Sequence, residues 1–331
     1  MKVASKPTPQ SEHPTKQKIR DYLALKHVNG SIAIVKEKQV IFNEGAGFSN
    51  RKNQLVNQSS TTFPIGSITK IFVATSILQL QEKGKLAIDD PVSKYFSKFP
   101  NGRGIKLIHL LTHTSGIKTP HLSKEDWKPK DIMKRMEPIP ISFSAGKQWD
   151  YNDINYLVLG MIVEKVAGVS LHDYIQRNIF DKASMRHSGF IPSTPVAYSS
   201  IGYKRIAGQL IKSRQLNNPL LFGCADIYTT AYDLTQFDEA LMSGKLVTKE
   251  SLEKMLTPGS KSKYGLGLYI LGNRVYSRGV LSGWESLHVY FKDKTSMAIL
   301  LNVRDKKTNI HQLAEDLYKI INNQAIDLNG K

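Results

Sequence analysis

Phe63-Pro64-Ile65-Gly66-Ser67-Ile68-Thr69-Lys70 places a serine and a lysine three residues apart where an apolar helix opens. At that spacing the two side chains lie on one helical face, one turn from each other. A serine hydroxyl is a weak nucleophile until a base takes its proton. A lysine serves as that base when burial or positive neighbours lower its pKa, which is the expectation for Lys70. Alone, Ser67 also reads as a helix cap and Lys70 as a solvated helix residue. The pair gains weight from Tyr151-Asn152-Asp153, which follows a Trp149-Asp150 step and adds a phenol and a carboxylate.

Outward from Ser67, the apolar positions Ile71, Phe72, Ala74, Ile77, Leu78 and Leu80 predict a helix to about Lys83, ended by Gly84. Upstream, residues 15–27 read as an amphipathic helix. Ser31–Val35 and Gln39–Phe42 read as a strand pair across the turn Lys36-Glu37-Lys38. Asp89-Asp90-Pro91 reads as a helix start. Further helices are predicted at about 105–112, 130–136, 153–167, 170–178, 232–242 and 248–256. The period then changes, and Tyr264–Tyr269, Leu287–Phe291 and Met297–Leu301 read as strands before a terminal helix over 308–322. Strands at both ends and helices between predict an α/β (α+β) architecture, with an antiparallel sheet built from both chain ends and a helical insertion. The expected division is a tether over 1–17 and one domain over 18–323. Its α/β part covers about 18–66 and 260–323, and its all-helical part about 67–259.

The chain has 331 residues, of which 40% are hydrophobic and 22% charged. That length supports one large core or two modest ones. No run of 18 apolar residues occurs, so no membrane-spanning helix is expected. The first 17 residues are rich in Lys, Pro, Ser and Thr and lack the apolar core of a signal peptide. Lys and Arg number 46 against 28 Asp and Glu, a net charge of +18. Such a balance points to an anionic partner. The charge is spread along the chain without an arginine-rich arm, which argues against nucleic acid. One cysteine, Cys224, excludes an intrachain disulfide and reads as a small buried residue.

Five segments together resemble the serine β-lactamase and penicillin-binding-protein superfamily, in its class C-like esterase and D-peptidase branch. They are Phe63–Lys70, Ile105–Gly116, Gly146–Gly160, Tyr264–Leu268 and Gly279–Trp284, in the family's order. The resemblance implies a β-lactamase/transpeptidase-like fold over about 18–323. It implies Ser67 as the acylated nucleophile, Lys70 as proton acceptor or relay, and Tyr151 as the phenolic acid/base. Whether Lys70 or Tyr151 takes the first proton stays open. The oxyanion hole would use the N–H of Ser67 and one near Val280, on a strand that includes Gly279. No metal or cofactor is implied. His109 and His113 are assigned to structure, and Trp149 and Trp284 to cleft wall or core.

Two departures narrow the chemistry. Asp153 stands where many relatives have Asn, and a carboxylate cannot donate to a substrate carbonyl; it is expected to pair with Lys70 or cap a helix. The family's Lys-Thr-Gly strand motif is replaced by Ser277-Arg278-Gly279. Without that grip on a substrate carboxylate, β-lactam turnover and DD-carboxypeptidase action are disfavoured. Arg278 substitutes only if it points into the cleft, and neighbouring strand residues face opposite sides.

An esterase fits best. The chain resembles the FmtA-like and DltE-like D-alanyl esterases of Gram-positive envelopes, also through Asp90-Pro91-Val92-Ser93-Lys94-Tyr95. That implies an extracellular, surface-associated enzyme, peripheral to the membrane and with its leader or anchor missing from this sequence. Its substrate would be D-alanylated teichoic or lipoteichoic acid. A DD-carboxypeptidase or penicillin-binding protein acting on peptidoglycan peptides, a general carboxylesterase and a non-catalytic wall-binding protein are the rival readings.

Overall fold

Ile32 and Ile34 alternate with Ala33 along one strand, and Met297 and Ile299 alternate with Ala298 and Leu300 along another. Because side chains alternate across a pleat, each strand offers apolar groups to both faces of a sheet. In the computed structural model, which describes residues 14–121, 128–191, 198–214, 216, 219–305 and 308–326, these strands lie at the centre of the main sheet.

Six antiparallel strands form that sheet: β1 (Gly30–Lys36), β2 (Gln39–Ala46), β3 (Tyr269–Leu271), β4 (Arg274–Leu281), β5 (Trp284–Phe291) and β6 (Thr295–Leu301). Their spatial order is β3-β4-β5-β6-β1-β2, so β1 from the N-terminal part pairs with β6 from the C-terminal part. The sheet is therefore built from both chain ends, as the pattern predicted. Glu37 and Lys38 turn β1 into β2 with φ of 47° and 69°, the left-handed pair that a two-residue hairpin demands.

Helices α1 (Pro14–Leu25) and α5 (Ile310–Ile321) cover one face, packing Ile19, Leu23, Leu313 and Leu317 on Ile32, Ile34, Leu287 and Ile299. Helix α1 includes residues 14–17, which the sequence reading gave to the tether; residues 1–13 lie outside the described residues. On the other face lie α2 (Thr69–Glu82), α3 (Ile154–Ala167) and α4 (Ala231–Met242). Twelve of the fourteen residues of α2 are buried, so this helix is enclosed nearly all round rather than along one stripe. Among the described residues no single helix is long and apolar enough to cross a membrane.

Three local expectations are corrected. The central stretch is mainly helical but also carries short strands at Gly189–Phe190, Tyr203–Ile206, Gln209–Lys212 and Ile227–Thr229. Asp89-Asp90-Pro91 opens only one 3₁₀ turn, Val92–Lys94. The Asp90 carboxylate there accepts from Ala87 N–H, Lys94 and Tyr95 at 2.6–2.8 Å and ties a loop instead. Tyr264–Leu268 makes one bridge, Tyr264 to Tyr269, and the strand proper starts at Tyr269.

Asn302, fully buried just after β6, joins the layers. Its Oδ1 accepts from Asn29 (2.6 Å) and Asn57 (3.2 Å), and its Nδ2 donates to the carbonyls of Ile201 (2.7 Å) and Phe48 (3.0 Å). Each buried group orphaned by its loss costs about 1–3 kcal/mol. Asn302→Leu is therefore expected to lower unfolding free energy by about 3 kcal/mol or more in urea titration; wild-type stability would remove this residue from the account.

Candidate active site

The site forms because a short strand delivers Ser67 to the end of a buried helix. Phe63–Pro64 pairs with Ile227–Thr229, and Gly66–Ile68 makes a 3₁₀ turn that runs into α2. Gly66 has φ of +54°, a left-handed conformation that glycine takes without strain. A Cβ on Gly66 would stand 3.1 Å from the amide nitrogen of Val280. A Cβ on Gly279 would stand 1.8 Å from the carbonyl oxygen of Ile65 and 3.0 Å from the amide nitrogen of Ser67. The end of β4 thus lies directly against the Ser67 turn, and two glycines permit that approach. The amides of Ser67 and Val280 are brought to the same spot.

Lys70 is completely buried. Its Nζ donates to Ser67 Oγ at 3.0 Å, to the carbonyl of Cys224 at 2.9 Å, and to Asp153 Oδ1 at 2.7 Å. Three acceptors match the three N–H bonds of an ammonium. Burial works to strip its proton, yet Tyr151 and Asp153 outweigh burial and hold its pKa above the ordinary lysine value. The expectation of a lowered pKa is therefore corrected. Lys70 is a charged anchor, held so by Tyr151 and by the Asp153 carboxylate together.

The Tyr151 ring lies over the same ammonium, with its centroid 5.0 Å from Nζ. Its loop is fastened from below by His113. The His113 ring packs 4.2 Å from the Tyr151 ring. His113 Nδ1 accepts the Asn152 N–H at 3.2 Å, and its carbonyl accepts the Asp150 N–H at 2.9 Å. Burial, then the charge of Lys70, pushes His113 well below the usual histidine range. It stays neutral, which leaves the Nδ1 lone pair free to accept. The structural role assigned to His113 follows from these contacts. Asn152 adds bonds to Thr119, to the Ile117 carbonyl and to the Ile154 N–H.

Asp153 precedes α3 without making a side-chain cap bond, and its carboxylate is 57% exposed at the cleft. Of the two roles expected for it, the structure selects the pair with Lys70. On the far side of the Tyr151–Asp153 loop lies a cavity of ≈580 Å³ whose lining includes Lys118, Asp150, Tyr151 and Asp153. Ser277 is buried and donates to the Gly267 carbonyl on the α2 side of β4. Arg278 is bound to Glu285 through Nε at 2.8 Å, paired opposite Leu287 on the sheet face that α1 and α5 cover. Alternation along β4 thus keeps its guanidinium out of the cleft.

Ser67, Lys70, Tyr151, Asp153, Gly279 and Val280 are all brought together. The Cys224 carbonyl was missed. A main-chain acceptor leaves no mark in residue type, and the thiol itself points elsewhere, donating to the Leu220 carbonyl at 3.0 Å. Burial pushes that thiol well up, which suits an inert side chain. Asp226 braces this turn: it accepts from Gly223 N–H at 3.2 Å and bonds His172 at 2.7 Å. Trp284 is core, donating to Ser200 at 3.0 Å, and Trp149 is half exposed near Tyr151.

The Beta-lactamase family model matches residues 15–312. A putative penicillin-binding protein, PbpX of Bacillus subtilis, is 38% identical over 309 residues, covering 93% of this chain and 79% of that protein. A teichoic acid D-alanine hydrolase of Staphylococcus aureus is 29% identical over 316 residues, with the same two coverages. Among solved structures, FmtA from Staphylococcus aureus superposes with a TM-score of 0.84 at 27% identity, over 96% of this chain and 93% of that one. A D-amino acid amidase from Ochrobactrum anthropi, at 20% identity and TM-score 0.79, shares the fold. By family model, sequence and fold alike, the chain belongs to the Beta-lactamase family and is a serine hydrolase of it.

Proposed function

We propose that this protein is an extracytoplasmic D-alanyl esterase that removes D-alanine from teichoic or lipoteichoic acid through an acyl-enzyme on Ser67. The observation that carries the reading is the charge the cleft offers. Asp153 presents a carboxylate at its mouth, while Arg278 is turned away and held by Glu285. A D-alanyl ester bears an ammonium and no carboxylate, so it suits a site that offers the Asp153 carboxylate and lacks a cationic grip from β4. A β-lactam or a D-Ala-D-Ala peptide bears the free carboxylate that this cleft does not grip. The relative named teichoic acid D-alanine hydrolase supports the same choice. A net charge of +18 suits a phosphodiester polymer.

In the proposed reaction Ser67 Oγ attacks the ester carbonyl. Its proton passes to the Tyr151 oxygen, taken in this step as a phenolate paired with the Lys70 ammonium, and leaves Tyr151 a neutral phenol while Lys70 keeps its own proton. The negative oxygen of the tetrahedral intermediate sits between the Ser67 and Val280 N–H groups. The C–O bond to the polymer breaks, and Tyr151 returns the proton to the departing alkoxide. Water then attacks the acyl-serine with Tyr151 again as base, and D-alanine leaves.

Free D-alanine released from purified D-alanylated lipoteichoic acid tests the reading, with Ser67→Ala beside the wild type. Release by the wild type alone is expected. No release with p-nitrophenyl ester turnover intact would leave a general carboxylesterase, and release by Ser67→Ala would overturn the nucleophile.

Gly279→Ala drives a methyl into the Ile65 carbonyl and pushes β4 off the Ser67 turn. Loss of one oxyanion donor costs about 10²–10³ in kcat. A fall of that size, with the circular dichroism spectrum unchanged, is expected; undiminished kcat would show that this contact does not build the hole.

Asp153→Asn removes a charge that holds Lys70 protonated. A raised pKa keeps the ammonium at high pH and loses it only as pH climbs through the raised value. In Asp153→Asn that loss occurs at lower pH, so the alkaline limb of the kcat/KM profile shifts down. An unmoved limb would detach Asp153 from the Lys70 charge.

A further inference from the structure

Two neighbouring hairpins outside the cleft carry half of the large exposed apolar side chains among the described residues. On the hairpin of Tyr203–Ile206 and Gln209–Lys212, Ile206 is 56% and Ile211 46% exposed. The pairing of Lys204 with Ile211 and of Ile206 with Gln209 puts all four on one face. On the hairpin of Phe48–Asn50 and Leu55–Val56, Phe48 is 36% exposed and Leu55 and Val56 55% each. The two are roped together at their bases. The Arg51 N–H donates to the Tyr203 hydroxyl at 3.0 Å, the Ile201 N–H donates to the Ser49 carbonyl at 2.8 Å, and Asn302 bridges the Phe48 and Ile201 carbonyls.

The same segments are basic without interruption. Arg51 and Lys52 lie on one, and Lys204, Arg205, Lys212 and Arg214 on or beside the other. No Asp or Glu occurs between Ala46 and Gln58 or between Gly202 and Arg214. Arg205 is matched from outside, by Asp305 at 2.6 Å. Exposed apolar side chains gathered on neighbouring hairpins and rimmed by basic residues mark an interaction surface.

We propose that these two hairpins form a face that docks peripherally on an anionic lipid bilayer. Branched and aromatic side chains enter the boundary between headgroups and acyl chains, and Lys and Arg meet the lipid phosphates. A soluble phosphodiester polymer would match the charges but leave five apolar side chains hydrated. A second copy of this chain would bring like charges together. An anionic bilayer satisfies both features. The face also adjoins the catalytic strand: Ser213 N–H bonds the Gly202 carbonyl at 2.8 Å, and Gly283, in the turn between β4 and β5, lies against both residues. Docking therefore holds the cleft close to the membrane, where membrane-anchored polymers begin.

The test is co-sedimentation of the full chain with vesicles of phosphatidylcholine alone or mixed with phosphatidylglycerol. Wild type is expected to partition onto the mixed vesicles and not onto phosphatidylcholine. Lys204→Gln with Lys52→Gln, the first on the face of Ile206 and Ile211 and the second on the neighbouring hairpin, should weaken partition about fivefold per lysine removed. Ile206→Ser with Ile211→Ser should weaken it by a comparable factor in high salt as well as low, since apolar insertion is unscreened. Unchanged p-nitrophenyl acetate turnover shows that each variant is folded. Partition equal to wild type in both double variants would overturn the proposal. So would retention on immobilised glycerol-phosphate polymer combined with no binding to either vesicle, which would give the face to the polymer.

Discussion

One buried ammonium organises this site. Lys70 is removed from water, and a lone charge so placed would be strongly unfavourable. It is tolerated because Ser67, the Cys224 carbonyl and Asp153 take one N–H each. Those partners come from three distant parts of the chain: the turn before α2, the loop before Ile227–Thr229, and the start of α3. Satisfying the charge therefore fixes the relative positions of three segments. The same arrangement aims Ser67 Oγ and lays the Tyr151 ring over the ammonium. His113, neutral through burial and the charge of Lys70, then holds the Tyr151 loop from beneath.

The second constraint is steric. Gly66 and Gly279 let β4 approach the Ser67 turn more closely than any side chain would allow. The approach is backbone to backbone, so it depends on the absence of two Cβ atoms rather than on attraction. Together with the ammonium it places a hydroxyl, a phenol and two amides around one point. Asp153 gives the point its sign. It holds Lys70 charged and leaves a carboxylate at the mouth, while Arg278 turns to Glu285 on the far face of the sheet.

Much of this was legible in the sequence. Serine and lysine at helical spacing are a weak signal alone, but with the Tyr151-Asn152-Asp153 loop, the other segments in the family's order and strands at both chain ends they carry the reading. Strand alternation put Ser277 and Arg278 on opposite faces but left open which of them faces the cleft, and the Glu285 contact decides it. Other features were not legible, for identifiable reasons. The Cys224 carbonyl is main chain and has no residue signature. The pKa of Lys70 depends on whether burial or the pull of Tyr151 and Asp153 prevails, and only distances decide that. Strands of two to four residues, such as Ile227–Thr229 and Gly189–Phe190, are too short to show a period, so a mixed region read as all helical. Asp89-Asp90-Pro91 has the composition of a helix start, but the Asp90 carboxylate closes a loop on Ala87, Lys94 and Tyr95 instead.

The central claim is a covalent acyl-serine formed with a D-alanyl ester, and peptide mapping by mass spectrometry after acid quench of the reaction with D-alanylated lipoteichoic acid tests it most directly. The account predicts one alanyl group on the peptide that contains Ser67. An alanyl group on another residue, or release of D-alanine with Ser67 unmodified at every time sampled, would contradict it.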